Sequence, residues 1–296
     1  IKNSATRHLG QYFLGFLMVS QRAGGGNTGY FLGEVSASGW WYYFPILYLF
    51  KETLVLHILT LLALILGFGK ILKSKNSGAV VRVRSWIHGH LPEFCSLVFI
   101  VVYWASSLAS PLNIGIRHVL PTFPFIYILV SKQITEWLKS KNLKVKSPAV
   151  AILVALMVAG TLKSFPNFLS YYNKLAGGTN NGYKIAVDSN YDWGQDLKRL
   201  KDWMDKNLPA GRQVAVDYFG GGNLKYYLGD KVEPWRSALG APPVGAWLAV
   251  SATFRQGAFG TPVPGFERKP EDSYLWLKNY EPVARAGKSI FIYKLP

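Results

Sequence analysis

The sequence predicts an α-helical polytopic membrane region of about four transmembrane helices, followed by a small mixed α/β extracytoplasmic domain. Three observations carry that expectation. Apolar runs at 53–68, 92–110, 119–134 and 147–165 approach the ~20 residues that cross a bilayer as a helix. Lysine and arginine collect in two of the connections, at Lys70, Lys73, Lys75, Arg82 and Arg84 and again at Lys132, Lys139, Lys141, Lys144 and Lys146. After Pro166 the apolar runs shorten to strand length and alternate with a helical repeat. The expected division is an extracytoplasmic interfacial segment and glycine-rich loop at 1–39, a transmembrane region at 40–166 and an α/β domain at 167–296.

In chain order, the run Tyr12 to Val19 is too short to span a bilayer and reads as a helix lying at the interface. Gly24-Gly25-Gly26-Asn27-Thr28-Gly29 breaks periodicity and reads as a loop. It lacks the spacing and the Lys-Ser/Thr ending of a phosphate-cradling P-loop. Gly39 to Pro45 is an aromatic cluster of the kind that sits at headgroup level. Lys51 and Glu52 follow, as an interfacial pair or as part of a site, and then the first span begins. His57, one imidazole among leucines, reads as a packing residue. Cys95 is the only cysteine, which excludes an internal disulfide and a thiolate metal site.

The formal net charge is +17, and it is uneven: 16 Lys+Arg stand against 4 Asp+Glu through Pro166, and 17 against 12 from Asn167 onward. The early cations lie between apolar spans and not along one solvated face, which argues against a nucleic-acid partner. The positive-inside tendency places the lysine-rich connections in the cytoplasm. Residues 39–43, 113–118 and everything after Pro166 then lie on the opposite side, as in a multi-pass cell membrane protein with an extracytoplasmic C-terminal domain.

Between the second and third runs stands Asn113-Ile114-Gly115-Ile116-Arg117-His118-Val119-Leu120-Pro121-Thr122-Phe123-Pro124. A cation at the edge of an apolar bundle is expensive unless it is used, so Arg117 and His118 are the first functional candidates. The alternative is that Arg117 snorkels to the headgroups. Pro111, Pro121, Pro124 and Gly115 favour a shaped re-entry over a plain loop.

In the C-terminal domain, Leu197, Leu200, Met204 and Leu208 mark one face of a helix over 196–208. Asp192 or Asp196 favours its N-terminus, and Pro209-Ala210-Gly211 stops it. Strands are expected at 214–219, 247–253 and 289–293, and helices at 223–228 and 271–279. Asp188, Asn190, Asp192, Trp193 and Gln195 form a polar cluster with an indole. Carboxylates there suit a hard cation and the indole suits a sugar ring, but turn chemistry and a helix start explain the same residues.

Four segments in order resemble bacterial family 39 membrane glycosyltransferases of the GT-C type, relatives of the protein O-mannosyltransferases. They are Trp41-Tyr42-Tyr43-Phe44-Pro45 followed by Lys51, Arg117-His118-Val119-Leu120-Pro121, Tyr171-Tyr172-Asn173-Lys174-Leu175-Ala176-Gly177-Gly178, and Asp188-Ser189-Asn190-Tyr191-Asp192-Trp193-Gly194-Gln195-Asp196-Leu197. The match is to the C-terminal half of such an enzyme. The resemblance implies a polyprenyl- or dolichyl-phosphate sugar donor, a protein, glycan or lipid acceptor outside the cytoplasm, and no nucleotide sugar. It assigns Arg117, His118 and Lys51 to the donor phosphate and the 188–195 segment to the substrate side. It leaves a divalent metal open and names no certain cofactor. The catalytic aspartate of relatives lies in an earlier extracytoplasmic loop, and between Ile1 and Trp40 the only acid is Glu34, so the catalytic residue is unassigned and the segment alone is expected to be inactive. The competing reading is a non-enzymatic transport or envelope-assembly component, with Arg117 and Lys51 lining a passage or holding lipid headgroups. The short tether from Phe165 to Asp188 leads us to expect the 188–195 loop near the bilayer surface.

Overall fold

The computed structural model describes residues 6–73, 78–139, 143–209, 211–268 and 273–296. Lys75, Lys141, Ala210 and Glu271, named above, lie outside the described residues. The structure is mostly helical with two small sheets, and the chain forms two compact units. One comprises Phe44–Ala109 and Ile116–Pro166; the other comprises Ile1–Tyr43, Ser110–Gly115 and Asn167–Pro296.

The helical unit contains α2 (Tyr43–Lys51, whose first residue belongs to the other unit), α3 (Leu54–Lys73), α4 (Ala79–Gly89), α5 (Leu91–Ala109), α6 (Phe123–Leu138) and α7 (Leu143–Ser164). Two helices, α5 and the stretch Lys146–Ser164 of α7, are long and apolar enough to cross a membrane. The pair α2 and α3 meets the same standard together, bent by 111° at its break. The predicted run 119–134 is not one long helix. Ile116–His118 and Leu120–Thr122 form 3-10 turns, and α6 has only 16 residues, about 24 Å of rise. Pro121 and Pro124 are the cause: each lacks an amide hydrogen, so each fits the start of a helical turn and not its middle. The basic connection also differs from a loop, because nothing between Ala79 and Gly89 breaks a helix.

Leu59 and Ala63 of α3 are buried against Val130 and Ile134 of α6, with Val150 and Leu153 of α7 packed on them. By contrast, α5 has no buried residue, the expected state of a helix whose neighbour is lipid. His57 is tied to its neighbours: its Nε2 lies 3.0 Å from the carbonyl of Leu49 near the end of α2, and its ring meets Tyr48 edge-on. Two of the clustered lysines are matched by acids, Lys70 with Glu136 at 2.5 Å and Lys132 with Glu93.

The other unit holds a five-stranded sheet in the order β4-β3-β5-β8-β7. Its strands are β3 (Val214–Asp217), β4 (Val232–Pro234), β5 (Trp247–Ser251), β7 (Ala284–Ala286) and β8 (Ile290–Lys294). β4, β3 and β5 are parallel, and β8 runs antiparallel to both of its neighbours, β5 and β7. Helix α8 (Leu197–Asn207) lays Leu197, Leu200 and Met204 on Val214, Val216, Ala249, Ile290 and Ile292. Helices α9 (Leu224–Leu228) and α10 (Ala252–Phe259) follow β3 and β5. α10 takes residues 252 and 253 from the expected strand, and Leu275–Asn279 is a 3-10 turn where an α-helix was expected.

The N-terminal segment groups with this unit, and its first helix has no buried residue. α1 (Arg7–Gly25) runs through the first two loop glycines. β1 (Gly29–Phe31) and β2 (Glu34–Ser36) form a hairpin that pairs with β6 (Thr261–Pro262), and Phe31 bridges Ala186. The core between α8 and the large sheet carries the folding energy of this region, so Leu200→Ala should lower the thermal midpoint by a loss of ~2–5 kcal/mol. Differential scanning fluorimetry should show that drop, while Val244→Ala, at an exposed site, leaves the midpoint in place.

Candidate functional site

Within the helical unit, Arg117 and His118 sit side by side on the 3-10 turn Ile116–His118, Arg117 exposed and His118 half-buried. Burial first, and the neighbouring Arg117 charge second, hold the His118 imidazole below its usual range, so it is neutral at pH 7. Its ring packs on Phe44, centroids 6.2 Å apart. Lys51 is seven residues beyond Phe44 on α2, which returns it to the same helix face about 10 Å along the axis. Of the three candidates, His118 is the one seen against α2, through Phe44. Tyr48 stands between, its ring edge-on to His57, Trp104 and Phe123 at 5.2 to 5.5 Å.

Within the α/β unit, the segment 188–195 lies beside the carboxyl end of β5, where open α/β sheets place their ligands. Asp188 adopts a left-handed backbone (φ 56°), and its amide donates to Thr253 Oγ1 at 3.1 Å. Ser189 Oγ donates to the carbonyl of Ile114, and Gly115, at φ +141°, comes against Ser189 so closely that a Cβ would collide. The first part of the 113–124 segment and the 188–190 turn are thus in direct contact. Asn190 is fully buried and donates to Tyr43 Oη at 2.8 Å. Gln195 ties the loop to itself: Nε2 donates to Ser170 Oγ and the Tyr191 carbonyl, while Oε1 accepts from the Trp193 amide at 2.8 Å.

Asp192 is the unusual member. It is fully buried; Oδ2 accepts from the Thr253 amide at 3.2 Å, and Oδ1 has no hydrogen-bond partner. Desolvation pushes its carboxyl up to about 7. Trp193, next to it, is 51% exposed and meets Phe219 edge-on at 5.5 Å, and Phe219 in turn meets Phe254 at 5.6 Å. An open indole can stack on a sugar ring and donate its N–H to a hydroxyl. Asp196 does not cap α8 with its side chain: the carboxylate turns inward, accepting from the amides of Lys288 and Ser289 and from Ser289 Oγ at 2.7 to 3.0 Å, with Arg199 as ion-pair partner.

The sequence reading passed over Phe219, Phe254 and the Asp217–Tyr274 pair, a 2.7 Å hydrogen bond at the end of β3 whose acid burial pushes up to about 6. Gly220-Gly221-Gly222 directly after a predicted strand was the available signal. Among the described residues, no three His, Cys, Asp or Glu side chains converge to hold a metal.

An acid whose folded pKa is raised binds its proton more tightly folded than unfolded, so stability falls as pH rises from near 4 to the folded value. Asp192 acts over pH 4 to 7 and Asp217, with the same sign, over 4 to 6. Thermal midpoints at pH 5 and pH 8 should differ less in Asp192→Asn than in the parent; an unchanged difference would remove Asp192 as the source. Compared with models of protein families, with curated proteins and with solved structures, the chain has no match.

Proposed function

We propose that this chain is part of a membrane glycosyltransferase of the family 39 type, moving a sugar from a polyprenyl- or dolichyl-phosphate donor to an acceptor outside the cytoplasm. The supporting observations are the four resembling segments in order and, in the helical unit, the adjacent Arg117 and His118 on a 3-10 turn, with the His118 ring against Phe44 of α2, the helix that ends at Lys51. The natural complement of such a group is an anionic headgroup. In this reading the bent α2–α3 pair is the first span and α6 the third, giving four, with the lysine-rich connections cytoplasmic.

In the reaction, the bond from the anomeric carbon to the phosphate oxygen breaks, the acceptor oxygen bonds to that carbon, and its proton goes to a carboxylate base. Arg117 would hold the departing phosphate with two parallel hydrogen bonds, keeping its charge at any working pH. Neutral His118 would accept or donate one more bond, and Lys51 would add charge along the same face. In the α/β unit the exposed indole of Trp193 would meet a sugar ring, while the buried Asp192, with Asp188, Asn190 and Gln195, holds the loop in shape. The base is not assigned within the chain.

In the full-length gene product, Arg117→Lys should reduce sugar transfer from a lipid-phosphate donor about tenfold or more, since a point charge replaces a fork, with little change in melting temperature. Unchanged turnover with lowered stability would leave Arg117 a packing role. No transfer by the parent would favour the transport or assembly component. For orientation, in a Cys95→Ser background, Lys139→Cys should react with an impermeant thiol reagent only from the cytoplasmic side and Lys225→Cys only from outside. The reverse pattern would invert the topology.

A further inference from the structure

The α/β unit carries another concentration of charge, gathered round the ring of Phe291 in β8. The guanidinium carbon of Arg255, from α10, lies 4.6 Å from that ring's centroid, and that of Arg285, from β7, lies 4.4 Å from it. Those two distances cap the separation of the guanidiniums at their sum. Both also lie near Tyr183, at 5.8 and 4.8 Å, whose ring meets Phe291 edge-on at 5.0 Å. The two forks therefore share one aromatic corner. Lys184 stands beside Tyr183 at 5.9 Å, and Lys278 stands 5.8 Å from Phe259, the ring that Arg255 also covers at 4.3 Å.

Among the described residues, none of these four cations is in an ion pair. Their partners are neutral: Arg255 Nε donates to Tyr293 Oη and its Nη1 to Gln256 Oε1, each at 2.7 Å, and Arg285 Nη1 donates to the Asn180 carbonyl at 2.9 Å. Those bonds orient the forks without neutralising them. Aromatic faces attract each cation but leave the repulsion between the guanidiniums in place. Among the described residues, the exposed Glu281 acts on Tyr293, and the buried Asp196, paired with Arg199, acts on Tyr191.

We propose that this corner is a binding site for a phosphate group, independent of the glycosyltransferase reading. A carboxylate brings one charge and two oxygens, which a single guanidinium satisfies; two forks with two lysines at the rim match the greater charge and the additional oxygens of a phosphate. Exposed Lys184 and Lys278 raise the local concentration of the anion. The phosphate comes either from a soluble ester or from an acidic phospholipid headgroup.

The experiment takes the full chain in neutral detergent with added inorganic pyrophosphate, and in nanodiscs with or without an acidic phospholipid, and reads the melting temperature. A soluble source predicts stabilisation by pyrophosphate beyond that of equal ionic strength of chloride. A lipid source predicts stabilisation by the acidic discs alone. In either case Arg255→Gln/Arg285→Gln should weaken the response about tenfold in ligand concentration. Since Arg255 also packs on rings, Lys184→Gln/Lys278→Gln is the second variant, expected to weaken the response while its ligand-free melting temperature stays that of the parent. If neither phosphate source stabilises the parent, or if both variants respond as the parent does, the proposal is overturned.

Discussion

The α/β unit depends on how the carboxylate of Asp196 is satisfied. It is wholly buried, and an ionised group without water must find its donors in the protein. It takes three from Lys288 and Ser289 and pairs with Arg199. This joins the end of the 188–196 segment to the turn before β8 and to the first turn of α8 at once. Position 287 is glycine with φ +57°, and a Cβ there would run into the Asp196 carboxylate. The two acids four residues apart differ in their surroundings: Asp196 has donors on both oxygens, whereas Asp192 Oδ1 has no hydrogen-bond partner.

Once Asp196 and Asn190 are pinned inside, the residues between them have little freedom. Asp192 is drawn against the first turn of α10, Gln195 closes the loop on its own backbone, and Trp193 is left outward beside Phe219. The exposed indole is therefore held by a rigid frame. A ligand stacking there would not have to order the loop first, which lowers the entropic cost of binding.

A different constraint governs the helical unit. Its helices α3, α5 and α6 carry paired charges, Lys70 with Glu136 and Lys132 with Glu93, and the other candidate charges stand at turns and breaks. The bend between α2 and α3 brings Lys51, Glu52 and the His57–Leu49 contact to one place. The 3-10 turns before α6 do the same for Arg117 and His118. Irregular backbone exposes groups that a continuous helix would hide.

The sequence by itself determined the elements whose signal is local. Continuous apolar runs located α5 and α7 to within a few residues, the Leu197–Leu200–Met204 spacing located α8, and short β-branched runs located β3, β5 and β8. A periodic pattern is written in neighbouring residues, so it survives without a tertiary context. Only the tertiary structure decided what depends on distant partners. Strands of two or three residues, such as β2 and β6, show no period, and their pairing across more than two hundred residues is fixed by contact alone. The same holds for the contact of Ser189 with Ile114 and for the guanidiniums of Arg255 and Arg285 around Phe291. The candidate residues were legible from their chemical types. Which of them are buried, open or turned toward one another was set by packing, because burial and charge pairing are properties of the folded neighbourhood and not of the chain.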